Sequence, residues 1–166
     1  DSENRNIMQE QLHAWLLKQG YSEKLASNAV DALVKTSTNL QQGLYHANKE
    51  VYSLLKYGAK VKESVEQSPK TVYFIDFEDV SKNDFYIAEE VTIVSNNTKR
   101  PDIVLYVNGI ALAVIELKKS SVSVSNGIRQ NLTNQKANFI EDFFTTIQFC
   151  MAGNDSEGLR YGTLLT

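Results

Sequence analysis

The stretch Arg100-Pro-Asp-Ile-Val-Leu-Tyr-Val-Asn-Gly-Ile-Ala-Leu-Ala-Val-Ile-Glu-Leu-Lys-Lys119 leaves the chain few ways to fold. Two apolar runs flank Asn108-Gly109, and both turn residues accept the positive φ that a type I′ turn demands. The spacing therefore predicts an antiparallel hairpin, with Tyr106 to Asp102 running alongside Leu112 to Glu116. Ile110 to Ile115 is apolar on both faces, which marks that strand as central in a sheet. The pattern then breaks. Glu116 and Lys118, two apart in a strand, share one face and lie about 7 Å apart along it. Ile115 and Leu117 are expected to point the other way, into apolar packing. Asp102 opens the partner strand close to the register of Glu116.

Charges at the end of a buried strand need partners or a metal. Two carboxylates and one ammonium at a sheet end suit a hard divalent cation. Mg²⁺ takes oxygen ligands from one or two carboxylates and keeps waters for the rest. Lys118 is then placed to hold an attacking water or to neutralise charge growing on a phosphate. The competing reading is a solvated strand edge, since Glu-x-Lys and Pro-Asp both occur at such edges.

The 166 residues are enough for one domain with a sizeable core, and 42 % apolar and 22 % charged content are ordinary for a globular chain. The longest apolar run, Ile110 to Ile115, is far short of the roughly 20 residues that span a bilayer. Net charge is −3, which does not announce a nucleic-acid binder. Its distribution is more informative: residues 99–136 carry six cations and two anions, a net of +4, against −7 for the remainder. Positive charge thus gathers around the hairpin. The single Cys150 is expected to pack as a small hydrophobe on a strand, and together with the polar start Asp1-Ser2-Glu3-Asn4 it points to a reducing cytoplasm.

Helical periodicity predicts helices over residues 6–19, with Ile7, Leu12, Trp15 and Leu16 inward, and from Ser22 to about Thr36. A third runs from about Asn39 to Tyr57, with a stripe of Leu40, Leu44, Ala47, Val51, Leu54 and Leu55 and with Glu50 at the edge of that stripe. Strand patterns follow at residues 61–65, 71–77 and 85–94. After the hairpin a helix is predicted with Ile128, Leu132 and Phe139 inward and Gln130, Asn134 and Arg129 on the opposite, polar side. Strands at residues 145–152 and 159–165 close the chain. Helices followed by a sheet with one inserted helix give an α/β (α+β) layout, with residues 1–37 as a helical extension and 38–166 as the main domain.

Pro101-Asp102, thirteen residues, then Glu116-Leu117-Lys118 resembles the PD-(D/E)xK nuclease motif. The longer stretch from Arg100 to Lys118 resembles the amino-terminal nuclease domain of the R (motor) subunit of type I restriction-modification enzymes. Asn48 to Gly58, Asn83-Asp84-Phe85 and Phe149 to Thr166 support it, so that the resemblance covers roughly residues 40–166. It implies a restriction-endonuclease-like mixed central sheet flanked by helices, and Mg²⁺-dependent cleavage of double-stranded DNA. Asp102 and Glu116 would hold the metal with the main-chain carbonyl of Leu117, and by analogy Glu50. Lys118 would be the catalytic lysine. Gln130 stands in the first position of the Gln-x-x-x-Tyr motif of RecB-like members, while Asn134 replaces the Tyr. Arg100, Lys119 and Arg129, with Asn134, are the expected DNA contacts. ATP-driven translocation would belong to motor domains, since no Gly-x-x-x-x-Gly-Lys-Ser/Thr loop occurs here. Modification and specificity subunits would be the protein partners. Two rivals remain: another RecB-like repair or recombination nuclease, and a non-catalytic docking module with the same fold.

Overall fold

The computed structural model describes residues 5–164. Three helices come first: α1 (Gln9–Lys18), α2 (Glu23–Ser37) and α3 (Leu44–Tyr57). Strands β1 (Ala59–Val61) and β2 (Lys70–Val72) pair with each other. The main sheet is built from β3 (Phe85–Glu89), β6 (Ile103–Val107), β7 (Ile110–Leu117), β8 (Phe149–Asn154) and β9 (Gly158–Gly162), in the order β3-β6-β7-β8-β9. A small ribbon of β4 (Ile93–Val94) and β5 (Thr98–Lys99) precedes β6. Helix α4 (Val124–Asn134) connects β7 to β8, which lie parallel. That connection is forced, because parallel neighbours need a crossover. All other pairs of the main sheet are antiparallel, so the sheet is mixed, in an α/β fold.

The hairpin forms at the predicted turn, with Asn108 at φ 53° and Gly109 at φ 84°. Its register contains one step that counting back from the turn did not foresee. Val107 pairs with Ile110 and Tyr106 with Ala111, but Leu105 pairs with Ala113, leaving Leu112 as the extra residue of a β-bulge. The Leu112 carbonyl instead accepts from Gln148 N at 2.7 Å. Without the bulge Asp102 would run toward Ile115. With it, Ile103 faces Ile115 and the next step brings Asp102 to Glu116.

The turn is itself buried. Asn108 is 1 % exposed; its amide donates to Phe74 O and Asn83 Oδ1 and its Oδ1 accepts from Asp84 N, all within 2.9 Å. The chain before α1 docks on this turn, with Met8 N donating to Gly109 O at 2.7 Å. A Cβ on Gly109 would sit 2.9 Å from Met8 O, so glycine is required there for space as well as for φ. Residues of α1, α2 and α3 then share one hydrophobic cluster with Val72, Phe74 and Ile110. A second cluster joins Val104, Tyr106, Val114 and Cys150 of the sheet to Phe143, Phe144 and Ile147.

Several predicted strands are shorter than their patterns. The 71–77 segment leaves the ladder after Val72 because side chains take over its backbone groups: Asp76 N donates to Asn83 Oδ1, and Asp76 Oδ1 accepts from Glu78 N and Asp79 N. The 85–94 segment divides at Glu90, whose φ of 50° turns the chain out of the strand while its N–H donates to Asp102 O. The third helix starts at Leu44, since Gly43 at φ 85° is its N-cap.

Candidate active site

Alternation along β7 places Val114 and Glu116 on the face that α4 covers, and β8 contributes Cys150 and Ala152 beside them. Gly127 of α4 is what lets the helix lie this close. A Cβ there would be 2.9 Å from Ala152 Cβ, 3.5 Å from Glu116 Cβ and 3.5 Å from Lys118 Cε. The helix therefore presses directly on the strand end that bears the charges.

Glu116 is fully buried, and neither of its carboxylate oxygens has a hydrogen-bond partner. Burial pushes its carboxyl up to about 7; the nearby Asp102 carboxylate adds to the rise, and Lys118 opposes it. Lys118 Nζ lies 3.7 Å from Glu116 Oε2 and donates to Gln130 Oε1 at 2.8 Å. Asp102 Oδ2 accepts from Leu117 N at 2.7 Å, which fixes that carboxylate across the end of the hairpin. Asp102, Glu116, Lys118 and Gln130 thus converge at one end of β7, from three separate elements.

The fourth arrival depends on a turn that carries no motif. Between β8 and β9, Asn154 Nδ2 donates to Val122 O at 2.8 Å and Ser156 Oγ to Ser120 O at 3.0 Å. Glu157 Oε1 accepts from Val124 N at 2.9 Å, at the start of α4. These bonds fasten the loop between Lys118 and α4, and so the position of Gln130. Sequence reading singled out neither Gly127 nor Glu157. Their only signal is the glycine inside a helical pattern.

The side chains of Glu50, Arg100, Lys119 and Arg129 make no hydrogen bond or ion pair with these four. Glu50 is exposed on α3, 4.0 Å from His46 Nε2, and among the described residues no group of three or more His, Cys, Asp or Glu gathers as a metal site. Arg100 pairs with Glu90 at 3.5 Å on the surface. Arg129 is exposed and turns back to Asn126 Oδ1 at 2.6 Å and Ser125 Oγ at 3.2 Å, on its own helix. Lys119 is exposed.

Two orientations are corrected. Leu117 is 50 % exposed rather than packed. In α4 the buried face is Val124, Gly127, Asn131 and Asn134, while Ile128 is 39 % exposed. Asn134, only 2 % exposed, thus lies on the buried face and not on the opposite, polar side. The apolar residues misled because the close approach at Gly127 decides which side of α4 meets the sheet, and Asn131 on that side donates to Met151 O at 2.9 Å.

The family described as type I restriction enzyme R protein N terminus matches residues 1–166. The chain belongs to that family. The match includes the first 36 residues, on which the hairpin resemblance is silent. A Methanocaldococcus jannaschii protein, named as the endonuclease subunit of type I restriction enzyme MjaIXP, is 29 % identical over 138 residues, covering 78 % of this chain. The endonuclease subunit of type I restriction enzyme HindI from Haemophilus influenzae is 36 % identical over 100 residues, covering 57 %. The aligned regions make up 13 % and 10 % of those two relatives. In this R-protein N-terminal domain no helix among the described residues is long and apolar enough to cross a membrane.

Proposed function

We propose that this R-protein N-terminal domain is the DNA-cleaving module of a type I restriction enzyme, hydrolysing phosphodiester bonds of double-stranded DNA with Mg²⁺. The observation that carries the proposal is Glu116: a carboxylate fully buried, with neither oxygen hydrogen-bonded, beside a second carboxylate and an ammonium 3.7 Å away. A buried carboxylate left this way costs stability unless something else completes it. The donor set fits a hard cation. Asp102 and Glu116 would hold it, with the main-chain carbonyl of Leu117. Bound there, Mg²⁺ would polarise a phosphoryl oxygen and lower the pKa of a water.

The chain's own residues do the rest. Lys118, held by Gln130, offers an ammonium whose remaining protons are free to serve a water or a phosphate oxygen, so that negative charge growing on the phosphoryl oxygens would meet a positive group already in place. Gln130 keeps that ammonium from collapsing fully onto Glu116, to which it lies at 3.7 Å rather than at hydrogen-bond distance. Leu117 N–H fixes the Asp102 carboxylate in the same way. Arg100 and Lys119 are exposed near this end of the sheet and supply charge for the phosphate backbone. ATP-driven translocation, and association with modification and specificity subunits, would lie with the rest of the R protein, in the cytoplasm.

The test is DNA cleavage by the assembled enzyme carrying Asp102→Ala or Lys118→Ala. Linear product should fall at least a hundredfold while ATP hydrolysis continues. Undiminished cleavage in either variant would reject the assignment.

A further inference from the structure

The main sheet has two faces of very different fate. The one bearing Val104, Val114, Glu116 and Ala152 is buried. The register of all five strands puts another set on the opposite face: Phe85 and Ile87 of β3, Leu117 of β7, Phe149 of β8, and Leu159 and Tyr161 of β9. These six are between 48 % and 77 % exposed. No described helix lies on them: α4 packs on the other side, and α1 to α3 meet the sheet at its turn end. Large apolar side chains exposed together on four strands of one sheet face mark an interaction surface. It also runs over the parallel β7–β8 pair, and parallel strands are almost always covered on both faces.

The length of the relatives bears on what covers it. The family is the N terminus of the R protein, and the matched region is 13 % and 10 % of the two relatives. In such a polypeptide most of the mass is tethered to this domain, at an effective concentration on the order of millimolar, so an internal segment outcompetes a second copy in free solution. The segment that suits a bare sheet face is a helix with an apolar stripe, which completes a layered α/β architecture. We propose that this face seats an apolar-striped helix from the part of the R protein outside this domain. The inference is independent of the nuclease chemistry, because the face lies on the opposite side of the sheet from the Glu116 carboxylate.

The experiment places a cysteine at Ile87 or Tyr161 (Ile87→Cys, Tyr161→Cys), both exposed enough that folding should tolerate the change, with Val65→Cys as a control away from the face. Maleimide labelling is followed peptide by peptide by mass spectrometry, in the 166-residue chain and in the full R protein. Labelling at Ile87→Cys and Tyr161→Cys should slow at least tenfold in the full R protein, independently of protein concentration, with the control unchanged. Equal rates in both would overturn the proposal. So would protection in the 166-residue chain that grows with concentration, which would make the occupant a second copy. Protection that appears only when modification and specificity subunits are added would also overturn it, by assigning the face to another subunit.

Discussion

Replacing Glu116 by Gln should stabilise the metal-free domain above neutral pH. The carboxyl is raised from 4.5 to about 7, chiefly by burial. At about 1.4 kcal/mol per tenfold change in proton affinity, holding the ionised group in place costs the folded state about 3 kcal/mol relative to the unfolded chain. The sign follows from proton counting. Between pH 4.5 and 7 the folded protein keeps a proton on Glu116 that the unfolded chain has released, so stability falls as pH rises through that window. Glu116→Gln removes the ionisation but leaves a buried amide that must find partners, so the net gain at pH 8 should be about 1–3 kcal/mol. In a domain of this size each kcal/mol corresponds to about 2–4 °C in Tm. Urea unfolding of both proteins at several pH values, with chelator present, measures the difference. It should lie between zero and about 2 kcal/mol in favour of the wild type below pH 4.5, shift by about 3 kcal/mol toward the variant up to pH 7, and then level off. A difference that stays flat across the window, or one that favours the wild type at pH 8, would show that Glu116 carries no ionisation cost in the folded state.

Two further outcomes follow from the packing around the site. Gly127→Ala should destabilise the domain by about 1–3 kcal/mol in urea unfolding, since the new methyl meets Ala152 Cβ at 2.9 Å, and it should also weaken the Lys118–Gln130 contact. Unchanged stability would mean that α4 can lift without cost. The Cys150 thiol, buried and pushed up to about 12, should resist a disulfide exchange reagent at pH 8 until denaturant is added; rapid reaction in the native state would contradict its burial.

The parts of this site that were legible in the sequence are those set by local rules. Asn108-Gly109 fixes a turn because few residue pairs tolerate positive φ twice, and Glu116 and Lys118 share a face because strands alternate. The bulge at Leu112 was hidden, because its cause is a hydrogen bond to Gln148, thirty-six positions along the chain. The side of α4 that meets the sheet was hidden too. Ile128 and Leu132 were more apolar than Gly127, Asn131 and Asn134, yet absence of a side chain at Gly127 decided the contact. Asn134, standing where the related motif has Tyr, becomes a buried residue whose main-chain carbonyl accepts from Ile140 N at 3.2 Å. The extent of Glu116 burial also depends on this tertiary approach.

If the proposed function is right, Asp102 and Glu116 form a metal site that a bound cation completes. Calorimetric titration of the domain with Mn²⁺ at pH 8, for the wild type, Asp102→Asn and Glu116→Gln, tests it most directly. The wild type should show saturable one-to-one binding that both substitutions abolish. Binding that survives Glu116→Gln, or none by the wild type, would contradict it.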